Sequence, residues 1–335
     1  MKIGVLGAGT WGIALAALLC GNGHEVCVWS AIPSEIDNLE KNSAHPNLPR
    51  IILPESIKYT KSIGDIADSS EMILVVVPSS FVRETTEILA PYLKDDAILV
   101  TAAKGIEGGS LMTMTEVVSD VVDRIRPELK YSIAALSGPT HAEEVAIGMP
   151  TSIVAACEDA DISDIIAAAF ANSCMRVYTN TDVKGVEICG AMKNIIAIAS
   201  GILTGMNLGD NTRAMLMTRG IAEITRLGIA MNCKRRTFMG LAGIGDLIVT
   251  CTSRHSRNNR CGELIGRGMT YDEASKEIGM VVEGYHALEA AMQMSQKYNV
   301  ELPITEAVYN ILKKGLSPKE AMYALMTRDL KSELD

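Results

Sequence analysis

The sequence lacks the cysteine and histidine patterns that metal proteins and disulfide-rich proteins use. Its eight cysteines are scattered without a CxxC pair, and most lie in apolar runs, which is typical of small core residues in a reducing cytosol. The five histidines show no metal-ligand spacing. We therefore expect no metal site and a cytoplasmic protein.

An excess of positive charge is also missing. The chain of 335 residues has 31 lysines and arginines against 40 aspartates and glutamates, a net charge of −9. This balance argues against general binding to nucleic acid or to anionic membranes. An anionic substrate would therefore need a local basic pocket. The length allows two domains with sizeable cores.

The N-terminus resembles a short secretory signal, because Lys2 precedes an apolar run that reaches Leu19. However, glycines interrupt the run, and no A-x-A-like cleavage site follows it. The Gly21-Asn22-Gly23 segment indicates a turn instead. We interpret the segment as folded structure.

The first 30 residues predict a βαβ unit with a G-x-G-x-x-G turn. Its strand, glycine turn, helix and second strand are expected at residues 2–6, 7–12, 13–19 and 25–29. In such a turn Gly7 permits the tight bend, Gly9 lets the backbone approach a pyrophosphate, and Gly12 lets the helix lie close to the strand. The helix N-terminus faces the phosphates. This context favours a dinucleotide site over a purely structural glycine turn.

The residues after the second strand normally distinguish NAD from NADP. An acid there binds the ribose 2′-hydroxyl, whereas an arginine accommodates a 2′-phosphate. This chain has Ser30-Ala31-Ile32-Pro33, which provides neither. The sequence therefore leaves the choice between NAD and NADP open.

The alternation of strands and helices continues to about residue 182 and then stops. Further strands are expected at 72–77, 98–101, 132–136, 151–155 and 175–178, and helices at 79–93 (with Ser79 or Ser80 as cap), at 111–125 and from Ala142. The loop around 48–54 is expected to pack over the cofactor's edge. From Lys184 the periodicity is helical. We therefore predict an α/β fold: a Rossmann-like doubly wound domain over 1–182 and an all-α domain over 183–335.

One stretch, Ile188–Gly209, contains a single charged residue, Lys193. Apolar residues all round predict a buried helix, and desolvation lowers the pKa of a lysine towards values useful for proton transfer. Two alternatives remain. A membrane span fits by length, but a lysine at its middle costs about 2.5–3.5 kcal/mol. A core helix whose lysine reaches the surface also fits.

Other polar residues mark candidate sites. Lys104 follows the predicted strand 98–101, at the sheet edge where ligands bind, although a solvated loop lysine fits equally. Asp246 has apolar neighbours and needs a partner, which a buried lysine such as Lys193 would supply. The segment 253–260 holds three arginines at a helix start. It could bind a phosphate or be simply solvated.

Together these features resemble the NAD(P)-dependent glycerol-3-phosphate dehydrogenases of the bacterial type. The matching motifs, in family order, are GAGTWG at 7–12, VVVPS at 75–79, AAKG at 102–105, SGPT at 137–140, GAMKN at 190–194, GDLIVTC at 245–251, SRN at 256–258 and VVEG at 281–284. The resemblance implies a homodimeric enzyme with a Rossmann-like domain and a helical domain. It implies that the enzyme uses NAD or NADP to interconvert sn-glycerol 3-phosphate and dihydroxyacetone phosphate for phospholipid synthesis.

The resemblance also implies residue roles. Lys193 would exchange a proton with the substrate C2 oxygen, Lys104 would be a second lysine at the substrate, and Asp246 would orient the ammonium group. The implied substrate contacts are Lys104, Gly138, Thr140, Lys193, Asp246, Ser256, Arg257 and Asn258, with Arg257 and Asn258 at the phosphate. The implied dinucleotide contacts are Gly7, Gly9, Thr10, Trp11, Gly12, Lys104, Ala142, Arg257, Val281 and Glu283. Many bacterial relatives carry a basic residue where Ser30-Ala31 stands here.

Two other functions stay open on the sequence. Dehydrogenases of 3-hydroxyacids and of 6-phosphogluconate share the two-domain plan and a lysine in an apolar helix. The segments around Asp246 and Ser256-Arg257-Asn258 favour the glycerol phosphate enzymes. A dinucleotide-sensing protein without catalysis is the second alternative, but it would not need Lys104, Lys193 and Asp246.

Overall fold

The computed structural model describes residues 1–330, 332 and 333, and the chain forms two compact units. The first unit comprises Met1–Gly190 and Cys233–Asp246, and the second comprises Ala191–Asn232 and the chain from Leu247. The buried Asp182 ties the returning segment into the first unit, because its carboxylate accepts hydrogen bonds from the Lys234 N–H at 2.8 Å and the Thr237 hydroxyl at 2.6 Å. The domain boundary at residue 182 stays a prediction.

The first unit is built on one eight-stranded sheet. Its strands are β1 (Lys2–Leu6), β2 (Glu25–Trp29), β3 (Lys58–Thr60), β4 (Met72–Val75), β5 (Ala97–Thr101), β6 (Tyr131–Ser137), β7 (Thr151–Ala156) and β8 (Met175–Asn180). They lie in the order β3-β2-β1-β4-β5-β6-β7-β8. All neighbours are parallel except β6 and β7. The order 3-2-1-4-5-6 is that of a doubly wound dinucleotide-binding sheet, which confirms the predicted fold class.

Helices cover both faces of this sheet. They are α1 (Thr10–Gly21), α2 (Pro33–Asn42), α3 (Ile63–Ser69), α4 (Val82–Leu89), α5 (Met114–Ile125), α6 (Ala142–Ala146) and α7 (Ala160–Phe170). Because successive strand residues point to opposite faces, Met72 and Leu74 join one apolar core while Ile73 and Val75 join the other. Such strands have no polar face, which is why the run at 72–75 is wholly apolar.

Two predicted helices differ from the structure at their ends. The helix predicted over 79–93 is α4 alone, with 3₁₀ turns at 79–81 and 90–92. Phe81, rather than Ser79 or Ser80, occupies its N-cap position, and a proline at 91 cannot donate to the helix. The helix predicted from Leu111 begins at Met114, because Thr113 forms a capping box with Glu116.

Other elements are shorter than predicted or were not predicted. The strand predicted over 72–77 ends at Val75. The N–H of the next residue, Val76, still donates to the Leu6 carbonyl at 2.9 Å. The backbone of Val76 then lies against Gly7, and strand pairing stops there. Helices α2, α3 and α7 and the short strand β3 have no counterpart in the sequence prediction.

After β8 the chain is helical, as predicted from Lys184. The helices are α8 (Val183–Gly205), α9 (Asp210–Ala230), α10 (Arg235–Phe238), α11 (Asp246–Thr252), α12 (Arg257–Gly266), α13 (Tyr271–Ile278), α14 (Glu283–Tyr298), α15 (Pro303–Lys314) and α16 (Pro318–Met326). Among the described residues, α8 alone is long and apolar enough to cross a membrane. Its apolar window is completely buried inside the protein, so α8 is a core helix here.

Within the second unit, α8 and α12 touch through glycines spaced four residues apart. A Cβ added to Gly201 would lie 1.9 Å from the Asn259 carbonyl oxygen, and one added to Gly205 would lie 2.2 Å from the Glu263 carbonyl oxygen. On α12, a Cβ at Gly262 would lie 2.1 Å from the Ile198 carbonyl oxygen. Such distances mean that the two helix backbones are in direct contact, with no room for side chains between them.

The first unit also contains a buried carboxyl group whose titration should affect stability. Glu187, on α8, accepts hydrogen bonds from the N–H of Thr115, at 2.9 Å, and from its hydroxyl. Burial is the largest influence and raises the pKa of Glu187 to about 7, against an ordinary value of 4.5. Between these two values the folded protein binds more protons than the unfolded chain, so stability falls as the pH rises from 4.5 to 7.

We expect Glu187→Gln to remove this pH dependence, because glutamine does not titrate. Relative to the variant, the wild type should lose up to about 1.4 kcal/mol of unfolding free energy per pH unit within the window. Denaturant unfolding at several pH values measures the difference. The exposed Glu40 provides the control, and Glu40→Gln should keep the wild-type slope. Parallel profiles for wild type and Glu187→Gln would contradict the prediction.

Candidate active site

The glycine turn after β1 has the geometry that a bound diphosphate requires. Gly7 has φ +121°, and its N–H donates to the Trp29 carbonyl at 2.8 Å. A Cβ on Gly12 would lie 2.0 Å from the Gly7 carbonyl oxygen, so α1 packs directly on the turn. Gly9 is exposed at the N-cap of α1, and a Cβ there would meet no described atom within 4 Å. The turn is therefore an open cradle at a helix N-terminus, which suits a phosphate anion.

Other predicted dinucleotide contacts in the first unit surround the same turn. Thr10 and Trp11 begin α1, and the Thr10 hydroxyl accepts a hydrogen bond from the Asn47 side chain at 3.2 Å. Trp11 and Ala142, which begins α6, both pack against the same apolar core. The loop that carries Asn47 therefore reaches the cradle, while the packing of the segment around 48–54 over a cofactor stays a prediction.

Lys104 and Asp246 form an ion pair in the first unit. The Lys104 Nζ lies 2.7 Å from Asp246 Oδ2 and 3.2 Å from the Gly138 carbonyl oxygen. Only 2% of the Asp246 side chain is exposed, against 19% of the Lys104 side chain. A buried carboxylate needs such a partner, and Lys193 was the example of one named from the sequence. Here the structure supplies Lys104, which lies 142 positions earlier in the chain.

The surroundings of this pair add residues that the sequence did not indicate. Gly190 leaves space for the lysine stem, since a Cβ there would lie 3.4 Å from Lys104 Cγ. It would also lie 3.2 Å from Ser137 Oγ, a buried oxygen without a hydrogen-bond partner among the described residues. Thr140 donates from its hydroxyl to the Gly138 carbonyl at 3.2 Å. The predicted substrate residues of the first unit thus form one cluster around Lys104.

Lys193 lies in the second unit and is buried, with 5% of its surface exposed. Its Nζ donates to the Thr250 hydroxyl at 2.7 Å. The alternative of a lysine that reaches the surface is therefore wrong. Thr250, on α11, was not identified from the sequence as a site residue.

The start of α12 is anchored to α8 and α14 within the second unit. Asn258 is buried; its amide nitrogen donates to Asn194 Oδ1 at 3.1 Å, and its oxygen accepts from the Gly284 N–H at 2.9 Å. Ser256 is the N-cap, and its hydroxyl accepts from the Asn259 N–H at 3.2 Å. These bonds fix the orientation of the helix N-terminus.

The three arginines of this segment differ in exposure. Arg254 and Arg260 are exposed, as a solvated helix start would predict, whereas Arg257 is half-buried at the first position of α12. Val281 and Glu283 are also half-buried, and Glu283 begins α14. The predicted site residues are therefore divided between the two units. Among the described residues there is no group of three or more His, Cys, Asp or Glu that could hold a metal ion.

Comparison with known proteins gives consistent matches over the chain. Family models described as the NAD-dependent glycerol-3-phosphate dehydrogenase N-terminus and C-terminus match residues 2–163 and 182–323. A glycerol-3-phosphate dehydrogenase [NAD(P)+] 2 of Lactobacillus delbrueckii is 51% identical over 99% of both chains. One named glycerol-3-phosphate dehydrogenase [NAD(P)+] from Fusobacterium nucleatum is 46% identical over 100% of this chain and 99% of its own.

A solved structure agrees with these sequence matches. The crystal structure of glycerol-3-phosphate dehydrogenase from Coxiella burnetii has a TM-score of 0.93 and 36% identity, and the match covers 98% of this chain and 99% of that one. The chain belongs to the NAD-dependent glycerol-3-phosphate dehydrogenase family.

Proposed function

We propose that this protein catalyses the NAD(P)-dependent interconversion of sn-glycerol 3-phosphate and dihydroxyacetone phosphate. The observation that carries the proposal is the buried Lys193, bonded to Thr250, on a helix whose next residue, Asn194, is bonded to Asn258 at the start of α12. A lysine for proton transfer and a helix N-terminus for a phosphate thus belong to one unit. Family membership over the whole chain supports the same reaction.

The glycine turn, with Gly7, Gly9 and Gly12, would hold the dinucleotide through its diphosphate. When bound, the dinucleotide accepts the hydride from the substrate C2 in oxidation and returns it in reduction. The protein's own part is proton transfer. Lys193 accepts the proton of the C2 hydroxyl as the carbonyl forms, and in the opposite direction its ammonium group gives that proton to the C2 oxygen. The Thr250 hydroxyl holds the lysine Nζ in place for both steps.

Lys104 and Asp246 supply charge rather than a second proton transfer. An ammonium group has three donors, and Lys104 directs two of them to Asp246 and to the Gly138 carbonyl. We propose that the third donates to the substrate oxygen. A fixed donor aimed at developing negative charge contributes on the order of 10²–10³ to the rate. Asp246 keeps the ammonium oriented because its carboxylate is itself immobilised by burial.

The phosphate would bind at the start of α12. Backbone N–H groups point out of a helix N-terminus, and the Arg257 guanidinium can donate two parallel hydrogen bonds to phosphate oxygens. Ser256 and Asn258 complete this set, and Thr140 and Gly138 complete the contacts near Lys104. Val281, Glu283 and Ala142 are proposed as further dinucleotide contacts.

Arg257→Ala is expected to raise the KM for dihydroxyacetone phosphate about 10- to 100-fold with little change in kcat. The lost hydrogen bonds stabilise the bound substrate and the transition state equally. Their removal therefore weakens substrate binding without slowing the chemical step. Steady-state kinetics measure both constants. Arg260→Ala, an exposed arginine on the same helix, is the matched control and should change neither constant. Equal effects of the two substitutions would contradict a phosphate role for Arg257.

The reaction is tested by following oxidation of NADH and of NADPH with dihydroxyacetone phosphate. Turnover of this substrate, absent with a 3-hydroxyacid or with 6-phosphogluconate, supports the proposal. Turnover only with one of the latter would assign the protein to a related dehydrogenase. Dinucleotide binding without turnover of any hydroxy phosphate would instead favour a sensing protein.

We further propose a cytoplasmic homodimer that supplies glycerol phosphate for phospholipid synthesis and that does not bind nucleic acid or insert into membranes. The family resemblance supports the dimer, and sedimentation of the purified protein tests it. A domain boundary at residue 182 is supported by the two family models, which end at 163 and begin at 182. Separate expression of 1–182 tests that boundary.

A further inference from the structure

Ser30 and Ala31 follow the carboxyl end of β2, so the sequence has neither an acid nor an arginine directly after this strand. The fold nevertheless brings an acid to this position. The Ser30 hydroxyl donates to Glu35 Oε2 at 2.6 Å, and the Ser30 Oγ accepts from the Ile32 N–H at 3.1 Å. Ser30 is buried, while Glu35 is half-buried in the first turn of α2. The Glu35 carboxylate is therefore held at the end of β2.

The residue that holds this carboxylate lies near the glycine turn, because the Gly7 N–H donates to the carbonyl of Trp29, which precedes Ser30, at 2.8 Å. His45 is half-buried, and burial lowers the pKa of its ring. The negative charge of Glu35 and the backbone of Ala8, between Gly7 and Gly9, oppose that effect by raising the pKa, so the Glu35 and His45 side chains are within electrostatic reach. His45 Nδ1 also accepts from the Asn47 N–H at 3.1 Å. The Asn47 side chain also donates to the Thr10 hydroxyl at 3.2 Å, so this segment borders the turn.

We propose that Glu35 accepts a hydrogen bond from the 2′-hydroxyl of the adenosine ribose and makes this protein prefer NAD over NADP. The Ser30 hydroxyl bonds Oε2 and leaves Oε1 for the ribose. In dinucleotide-binding folds an acid at the end of the second strand performs this recognition. Here the acid comes from the following helix and is positioned by a serine.

A ribose 2′-phosphate would meet repulsion at this place. It would bring its negative charge next to the Glu35 carboxylate in the first turn of α2. No arginine or lysine occupies residues 30–33. Lys61 forms an ion pair with Asp37, so its charge is already compensated.

The inference rests on the proposed function only in that a nicotinamide dinucleotide binds. The test is therefore direct binding of NADH and NADPH to the purified protein by calorimetry, without substrate. We expect the wild type to bind NADH at least about tenfold more tightly than NADPH. Glu35→Ala should weaken NADH binding about 10- to 100-fold, the loss of a hydrogen bond to a charged group, and should leave NADPH binding equal or tighter.

Three further variants separate recognition from folding. Glu40→Gln removes the same charge from the same helix and should leave the ratio of the two affinities within about twofold of wild type. Ser30→Ala should lower the ratio because it frees the carboxylate, and its thermal melting should stay near that of the wild type. Glu35→Gln combined with Ala31→Arg should reverse the preference, so that NADPH binds more tightly than NADH. The first substitution removes the acid, and the second adds an arginine that can bind the 2′-phosphate.

Two results would overturn the role of Glu35. One is a wild type that binds NADPH as well as NADH, and the other is a Glu35→Ala variant in which both affinities fall by the same factor. Failure of the proposed reaction is distinguishable from either. A protein that prefers NADH in binding but does not turn over dihydroxyacetone phosphate refutes the reaction and keeps the Glu35 assignment.

Discussion

Lys193→Ala is expected to reduce the turnover of dihydroxyacetone phosphate by about 10³-fold or more while leaving the affinity for NADH within about twofold of wild type. General acid–base catalysis contributes roughly 10²–10⁴ to a rate, and the same ammonium also stabilises charge on the C2 oxygen. The dinucleotide cradle is built from residues of the first unit, whereas Lys193 belongs to the second. Turnover measured at saturating substrate, together with NADH titration, tests both parts.

Two variants serve as controls for this experiment. Lys193→Met keeps most of the buried side-chain volume and removes the ammonium, so it should lose as much turnover as Lys193→Ala while unfolding at a temperature closer to wild type. Lys184→Ala removes a lysine from the same helix, where it pairs with Glu116 at 2.5 Å and is 40% exposed, and should leave turnover within about twofold. Turnover that survives in both Lys193 variants would remove this lysine from the mechanism.

Gly201→Ala is expected to destabilise the protein by about 2 kcal/mol or more, or to prevent soluble expression. Alanine in place of glycine in a helix normally gains up to about 1 kcal/mol. At Gly201 the new methyl group would lie 1.9 Å from a backbone carbonyl oxygen of α12, a distance that no rotamer change can relieve. Forced separation of packed helices costs about 1–3 kcal/mol and sometimes more, so the steric term dominates.

Urea unfolding and the yield of soluble protein measure this effect. Gly21→Ala is the matched control, because Gly21 is also helical, as the last residue of α1, and an added Cβ would meet no described atom within 4 Å. It should be neutral or stabilising by up to about 1 kcal/mol. Gly205→Ala, on the next turn of α8, should resemble Gly201→Ala. Wild-type stability in the Gly201 variant would show that the two helices separate easily.

Much of the fold was predictable because its signals are local. Apolar runs at 72–77 and 98–101 are typical of strands buried on both faces, and the glycine spacing at 7–12 has few other structural meanings. The missed elements lack such signals. Strand β3 has only three residues, Lys58–Thr60, and α2 is largely polar. The capping box of α5 was visible as Thr113-x-x-Glu116, but the apolar pair before it suggested an earlier start.

The candidate site was predictable in composition but not in its pairing. The need of Asp246 for a lysine followed from desolvation, yet its contact with Lys104 joins residues 142 positions apart. Only the fold brings such residues together. Thr250 and Glu35 were missed for a similar reason. A hydroxyl in an apolar helix and an acid five residues beyond Ser30 have ordinary structural explanations until their hydrogen bonds are known.

The contact between α8 and α12 has a consequence for substrate length. Glycines hold the two helix backbones together at one level, and the Asn194–Asn258 hydrogen bond joins them at another. Lys193 directly precedes Asn194 on α8, and Arg257 directly precedes Asn258 on α12. The spacing between the backbones of Lys193 and Arg257 is therefore fixed by the two helices. Under the proposed function this fixed spacing selects substrates by length. Substrates bind only if the distance from the reacting carbon to the phosphate matches this spacing. A hydroxy phosphate with one more carbon in its chain is too long to bind.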